Sequence, residues 1–231
     1  MKSDRFGQHL LKTRRKKPFD YRFKVVYPGT VIEREDPYRF PQVLGDVDIH
    51  LLNEGTHRKL YDVLGAHQRV INGIAGVAFS IWAPNASRVS VVGDFNDWDG
   101  RRHSMRRLGY SGFWDIFIPG VPARTKYKYE MKDSAGNLLP LKADPVGSQA
   151  EMRPDTASVI DAEAPFHWQD GDWMTHRALR SARNAPVSIY EVHLGSWRRG
   201  ERGEFLNYRD IAEQLIPYVK SMGFTHIQLM P

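Results

Sequence analysis

The stretch from Gly76 to Ile160 constrains the fold most, because it repeats short apolar alternations closed by turn residues. GVAFSIWAP sets Val77, Phe79 and Ile81 against Ala78, Ser80 and Trp82, then stops at Pro84 and Asn85. VSVVGDF follows, and a polar turn runs from Asn96 to Arg102. FWDIFIPG ends on Pro119 and Gly120. KYKYEMK sets Tyr127, Tyr129 and Met131 against Lys128, Glu130 and Lys132, before a turn over Asp133–Asn137. Side chains alternate faces along a strand, so each run has one apolar face to bury. Short strands at this spacing predict a β-sandwich of about 90 residues.

After Pro186 the rhythm changes. VSIYEVHLG is a β-rich run, and YRDIAEQLIPYVKSMG is helical, with Ile211, Leu215, Val219 and Met222 on one face. Asn207 is placed to cap that helix, with Asp210 three residues later and Gly223 at the C′ position. Pro217 removes one backbone bond and is expected to bend it. THIQLMP is then a continuous apolar strand, so strand, helix and strand predict parallel pairing with a right-handed crossover. A parallel strand expects cover on both faces, and two strands with one helix do not supply it. The sequence therefore reads as the front of a longer protein.

Before Gly76 the pattern is weak. Residues 1–24 carry nine basic side chains against Asp4 and Asp20, so this segment holds the whole excess of a +6 chain. That reads as a solvated, mobile arm with an extended piece around Tyr21–Tyr27, and not as a nucleic-acid reader. Residues 36–73 read as irregular, with a short helix over Thr56–Leu64 capped by Thr56 and closed by Gly65.

Several chemistries are excluded. There are no cysteines, hence no disulfide scaffold, thiolate metal site or cysteine nucleophile. No apolar run approaches the roughly 20 residues of a membrane span, and no secretory h-region is present, so a cytoplasmic protein is expected. An EF-hand reading from Asp94 puts Trp98 and Met105 at ligand positions, and the nine histidines form no H-E-x-x-H pair. No metal site and no cofactor are expected, and no phosphate-loop or nucleophile-elbow motif occurs.

Two stretches carry a resemblance. VVGDFNDWDGRRHSMRR (Val91–Arg107) resembles the carbohydrate-binding module at the front of glycogen branching enzymes. IYEVHLGSWRR (Ile189–Arg199), with the helix and strand after it, is similar to the first units of their α-amylase-type barrel. DPYRFPQVLGDVDIHLLNEGTH (Asp36–His57) and LLPLKADPVGSQAEMRPDTASVI (Leu138–Ile160) also resemble the bacterial enzymes, and only the basic arm falls outside the likeness. The resemblance implies a mainly β chain, an immunoglobulin-like β-sandwich followed by an incomplete (β/α)8 barrel. It divides the chain into the arm (1–35), a linker segment (36–73), the sandwich module (74–162), a second linker (163–185) and the barrel's first βαβ unit (186–231).

It further implies the N-terminal part of an enzyme that cleaves an α-1,4 glucan and transfers the segment to a 6-hydroxyl. That retaining chemistry uses two carboxyl groups about 5 Å apart. In the family they come from barrel strands four and five, which this sequence does not reach, so no catalytic residue is carried over. The expected partner is α-1,4-glucan or glycogen, with no nucleic acid or membrane, and the chain is expected to be a monomer. The expected glucan contacts are Trp98 as stacking platform, Lys128 as hydroxyl partner and Asn96. A second stacking tryptophan is expected near 137–139, where Asn137, Leu138 and Leu139 stand. The other reading is a stand-alone glycogen-binding scaffold without enzyme activity. Trp82 and Trp114 lie within strand patterns and are expected to pack in the core or at an interface. Trp168 and Trp173 are expected to pin the linker, and Trp197 to stabilise its loop. Glu191 and His193 read as hydrogen-bonding scaffold.

Overall fold

The period-two alternation becomes two antiparallel four-stranded sheets sharing one core. The computed structural model describes residues 2–3, 9–12, 14, 19–162, 166–180 and 183–230, in two units, Met1–Ala164 and Pro165–Pro231. Arg5, Arg15, Lys16 and Lys17 of the basic arm lie outside the described residues.

The first unit opens with a two-residue pair, β1 (Lys2–Ser3) and β2 (His9–Leu10). β3 (Arg22–Tyr27) and β4 (Thr30–Glu35) form a hairpin closed by Pro28 and Gly29, whose φ of 81° suits a turn. The extended piece foreseen around Tyr21–Tyr27 is therefore half of a hairpin. Its partner is Thr30–Glu35, and ion pairs hold the base: Arg22 to Glu35 at 2.5 Å and Arg39 to Glu35 at 2.7 Å.

Segment 36–73 also departs from the irregular expectation. Helix α1 is Asp46–Glu54, with Asp46 and Asp48 in its first turn, where the helix dipole favours acids. It ends at Gly55 (φ 72°): Gly55 N bonds Leu52 O, and Thr56 N bonds Leu51 O. That is a Schellman closure, so Thr56 follows a helix end instead of starting a helix. Over Thr56–Leu64 the structure has a single 3-10 turn, Leu60–Asp62.

β5 (Gly65–Ile71) then pairs with β6 (Ile74–Trp82) through Asn72 and Gly73, both with positive φ. This sheet thus takes in residues ahead of the 74–162 span expected for the module. β7 (Arg88–Gly93), β8 (Arg106–Arg107), β9 (Phe113–Pro119), β10 (Lys126–Lys132), β11 (Gln149–Ala150) and β12 (Ser158–Val159) complete the sandwich. One sheet runs β5-β6-β9-β8 and the other β11-β12-β10-β7. Val77, Phe79 and Ile81 face Val89, Val91, Tyr127 and Tyr129 in the shared core, along with Trp114, Ile116 and Ile118.

The outer face of the first sheet is buried too. Phe40 packs edge-on against Phe117, 4.7 Å between ring centroids, and Ala78 joins them. Asp115, fully buried on this face, accepts from Val43 N at 2.6 Å and Leu44 N at 3.2 Å. A buried carboxylate needs such donors, and they fasten residues 40–44 across the sheet.

The second unit holds α2 (Gly171–Arg180), β13 (Ile189–His193), α3 (Leu194–Trp197), α4 (Tyr208–Ser221) and β14 (His226–Met230). β13 and β14 pair in parallel, as the crossover pattern requires. Ile211, Leu215 and Val219 of α4 pack on Val192, whereas Met222, expected on the same face, lies at the helix end and is exposed. Asn207 Oδ1 accepts from Arg209 N and Asp210 N at 3.0 Å each, as the cap pattern predicts. The helix runs through Pro217.

Candidate carbohydrate-binding site

Of the sequence-predicted contacts, Lys128 lies on β10, and Asn96 and Trp98 lie in the loop that follows β7. Along β10, Tyr127 and Tyr129 point into the core, so Lys126, Lys128 and Glu130 point outward. The two tyrosine hydroxyls meet one buried carboxylate: Asp144 Oδ2 accepts from Tyr127 at 2.7 Å and from Tyr129 at 3.0 Å. Burial and that neighbouring charge push both tyrosines well above the usual phenol range. The core side of β10 is thereby fixed, and with it the outward row.

Trp98 lies in the loop that leaves β7. A 3-10 turn, Asp94–Asn96, starts it, and then Asp97 and Trp98 both adopt left-handed backbone, with φ of 56° and 59°. Two consecutive non-glycine residues in that region are rare, and such strain collects at binding sites. The indole is half-buried, and its Nε1 donates to Asp94 Oδ1 at 3.1 Å. Trp98 N donates to Gly93 O, closing the loop on the strand end. Further along, Gly100 lies against the carboxylate end of the Glu130 side chain. The loop therefore folds over the β7–β10 face that also carries Lys128.

Lys128 Nζ donates to Thr156 Oγ1 at 2.7 Å. Beside it, Lys126 is paired with Glu151 at 2.5 Å. The hydrogen bond and charge of Glu151 raise the Lys126 ammonium, and Lys126 in turn lowers Glu151. Lys128 keeps two further N–H directions after its bond to Thr156.

Asn96 takes a different place from the one expected. It is 1% exposed, so it is not a surface contact. Its Oδ1 accepts from Gly93 N at 2.9 Å, and its Nδ2 donates to Val91 O at 2.9 Å and to His103 Nδ1 at 2.8 Å. Asn96 braces the Trp98 loop from beneath. Of the three predicted residues, Lys128 faces outward from β10, Trp98 is half-buried in the loop after β7, and Asn96 is buried beneath that loop.

At 137–139 no aromatic ring appears. Asn137 closes the hairpin turn on Asp133, and Leu138 is exposed. Trp114 is buried and donates to Ala83 O, whereas Trp82 is 58% exposed and does not pack in the core. Trp168 and Trp173 are exposed, with Trp168 packed edge-on against Phe166. Trp197 donates to the Tyr190 hydroxyl at 3.1 Å and so ties its loop to β13. Glu191 and His193 are exposed on and at the end of that strand. Among the described residues, no group of three His, Asp or Glu side chains is arranged to hold a metal.

A sandwich with a braced aromatic loop beside outward lysines has the make-up of a sugar-binding module. The profile of Carbohydrate-binding module 48 (isoamylase N-terminal domain) matches residues 63–147, a span that includes β5 and ends after the Tyr–Asp144 cluster. The chain is 54% identical over 212 residues to a 1,4-alpha-glucan branching enzyme of Rubrobacter xylanophilus, covering 91% of this chain and 29% of that enzyme. For the branching enzyme of Rhodospirillum rubrum the identity is 57%, covering 91% of the chain and 28% of the relative. That of Pseudomonas putida is 50% identical over 231 residues, 98% of this chain, so there the basic arm lies inside the likeness. Among solved structures, a product complex of SpuA, a multi-modular glycogen-degrading pneumococcal virulence factor, shares the fold. Its TM-score is 0.52 at 21% identity, over 92% of this chain and 22% of that one.

Over at least 91% of its length the chain is similar to these bacterial 1,4-alpha-glucan branching enzymes, and residues 63–147 match a carbohydrate-binding module. The chain spans about 30% of the length of the curated relatives it matches.

Proposed function

We propose that this chain is the glucan-holding portion of a glycogen branching enzyme, and that residues 1–231 bind α-1,4-glucan without rearranging it. One observation supports the reading: the loop that follows β7, with left-handed backbone at Asp97 and Trp98 and Asn96 bonded beneath it, holds Trp98 beyond the end of the strand that pairs with the Lys128 strand. A sugar's apolar face stacks on such a ring, while its hydroxyls take bonds from a neighbouring ammonium. The indole N–H is held by Asp94, which orients the ring.

Chain transfer by a retaining route needs a nucleophilic carboxylate and a carboxylic acid about 5 Å apart. In the second unit Glu201, Glu204, Asp210 and Glu213 line one surface pocket, and Glu191 is exposed on β13. The branching reaction is assigned to the whole protein, and binding to this part of it.

Native electrophoresis in gels with and without glycogen tests the reading. Wild-type chain should be retarded by glycogen, and Trp98→Ala should run as it does in the sugar-free gel. Equal retardation of both would remove Trp98 from the site. No retardation of the wild type would make the sandwich a structural neighbour only.

A further inference from the structure

The sandwich carries an exposed tryptophan, Trp82, at the far end of the strands from the Trp98 loop. β7 and β10 pair antiparallel, with Gly93 opposite Tyr127 and Arg88 opposite Lys132. Trp98 leaves from the Gly93 end. Trp82, at the last position of β6, lies by the Arg88 end, where the loop Ala83–Ser87 joins the two sheets.

Trp82 is 58% exposed on a strand whose preceding residues, from Gly76 to Ile81, are buried. It borders a groove of about 400 Å³ between the β6 end and the segment Leu138–Lys142, which bonds along β10. That volume falls within the roughly 300–1,000 Å³ of small-ligand clefts. Met131, Leu139 and Ala83 supply apolar lining. Asn85 and Lys142 stand at its border, both exposed, and neither side chain has a hydrogen-bond partner among the described residues. The Trp82 indole N–H has none either.

The ring is backed firmly. Gly112 (φ 81°) lies against Trp82 and Pro84, and a β-carbon there would come within 3.0 Å of the indole nitrogen. A glycine at this point lets backbone press directly on the ring edge. The tryptophan is therefore a rigid platform that keeps an open face.

We propose that this groove is a second α-glucan site, with Trp82 as stacking ring and Asn85 and Lys142 as hydroxyl partners. The inference rests on the reading of the module as glucan-binding, and it adds a site to that reading. Sugar hydroxyls both donate and accept, so they satisfy the indole N–H, the Asn85 amide and the Lys142 ammonium together. An apolar protein surface in the same groove would leave each of them with an unmade hydrogen bond. A polymer that engages both ends of the sandwich gains from effective concentration, which a short oligosaccharide does not.

Calorimetric titration with maltoheptaose, beside glycogen-gel retardation, tests the proposal on the full chain. Trp82→Ala and Lys142→Ala are compared with Trp98→Ala, each checked for fold by circular dichroism. The expected result is two sugars per wild-type chain, one per chain in Trp82→Ala, and at least a tenfold weaker hold on glycogen. Lys142→Ala, remote from the core, should weaken the same site without changing the fold. If Trp98→Ala keeps the wild-type stoichiometry while Trp82→Ala loses one sugar, the groove stands and the Trp98 reading fails. If a folded Trp82→Ala binds like wild type, the groove is not a glucan site. Self-association of the wild type that Trp82→Ala abolishes, with no sugar response at the groove, would overturn the proposal in favour of a protein-contact surface.

Discussion

Asn96 Nδ2 lies 2.8 Å from His103 Nδ1, beneath the loop that presents Trp98. The amide donates, so the imidazole nitrogen must accept, and the ring is neutral when the bond is made. His103 is pushed down to about 4, by burial first and then by the charges of Arg102 and Arg34. The unfolded chain takes up its proton near pH 6.5, the folded one only near 4. Protons therefore favour the unfolded chain between those values, and stability is full above pH 6.5 and lost as pH falls toward 4. After discounting for partial solvation, the loss is about 2 kcal/mol. Denaturant melts at pH 7 and pH 4.5 should show it. His103→Gln, which removes the proton site, should flatten that slope.

The Asp144 carboxylate holds the Tyr127 and Tyr129 hydroxyls at the base of the binding face. Asp144→Ala leaves two buried donors without an acceptor, at about 1–3 kcal/mol apiece. A loss of about 3 kcal/mol or more in urea unfolding is expected. Tyr127→Phe, which removes one donor and its need together, should cost about 1 kcal/mol. Equal losses in the two variants would show that Asp144 acts through its own packing.

Gly93 is where the strand becomes the loop, and its backbone is extended, so conformational freedom is not what the position needs from glycine. A β-carbon at this position would press on the Lys126 carbonyl oxygen and the Phe95 ring. Gly93→Ala should cost about 1–3 kcal/mol by overpacking. It should also weaken glycogen retardation, because Trp98 N is bonded to Gly93 O. Unchanged retardation in a destabilised Gly93→Ala would separate the loop from the binding face.

The sandwich was legible because its inner face follows a strict period of two: Val77, Phe79, Ile81, Tyr127 and Tyr129 all reach the core as the pattern requires. The Asn72-Gly73 dipeptide between VI and IA carries an equally open signal for a tight hairpin, and β5 is the strand it announces. The helix at Asp46–Glu54 was harder to see. Its start has no side-chain cap, and none of its residues is fully buried, so its apolar periodicity is weak. The burial of Asn96 is illegible from sequence. A turn asparagine ordinarily faces water, and only the fold brings Gly93 N, Val91 O and His103 around it. Trp82 shows the same limit in the opposite direction. Strand periodicity says which face a residue takes, and not whether that face is covered at the strand's end.

The cap of α4 gives a prediction confined to the second unit. Asn207 Oδ1 receives two backbone N–H groups, and its Nδ2 donates to Asp210 Oδ2 at 2.7 Å. Asn207→Ala should cost about 1 kcal/mol of helix stability. Hydrogen exchange should register it in Tyr208–Leu215 and leave the sandwich amides unchanged, since the bonds of Asn207 lie within the first turn of its own helix.

Binding and branching separate in the last prediction. On the proposed reading, residues 1–231 hold a glucan through Trp98 and Lys128 and do not rearrange it. Incubated with amylose, the chain should leave the iodine spectrum unshifted at every time point. It should nevertheless be retained on an amylose column, and Trp98→Ala should reduce that retention. Even a slow spectral shift that co-purifies with the chain would show bond rearrangement within these residues. Glu191, exposed on β13, would then be the first carboxylate to replace with glutamine. Retention without any shift assigns the two activities to different parts of the branching enzyme, with the sandwich keeping substrate close to a reaction performed elsewhere.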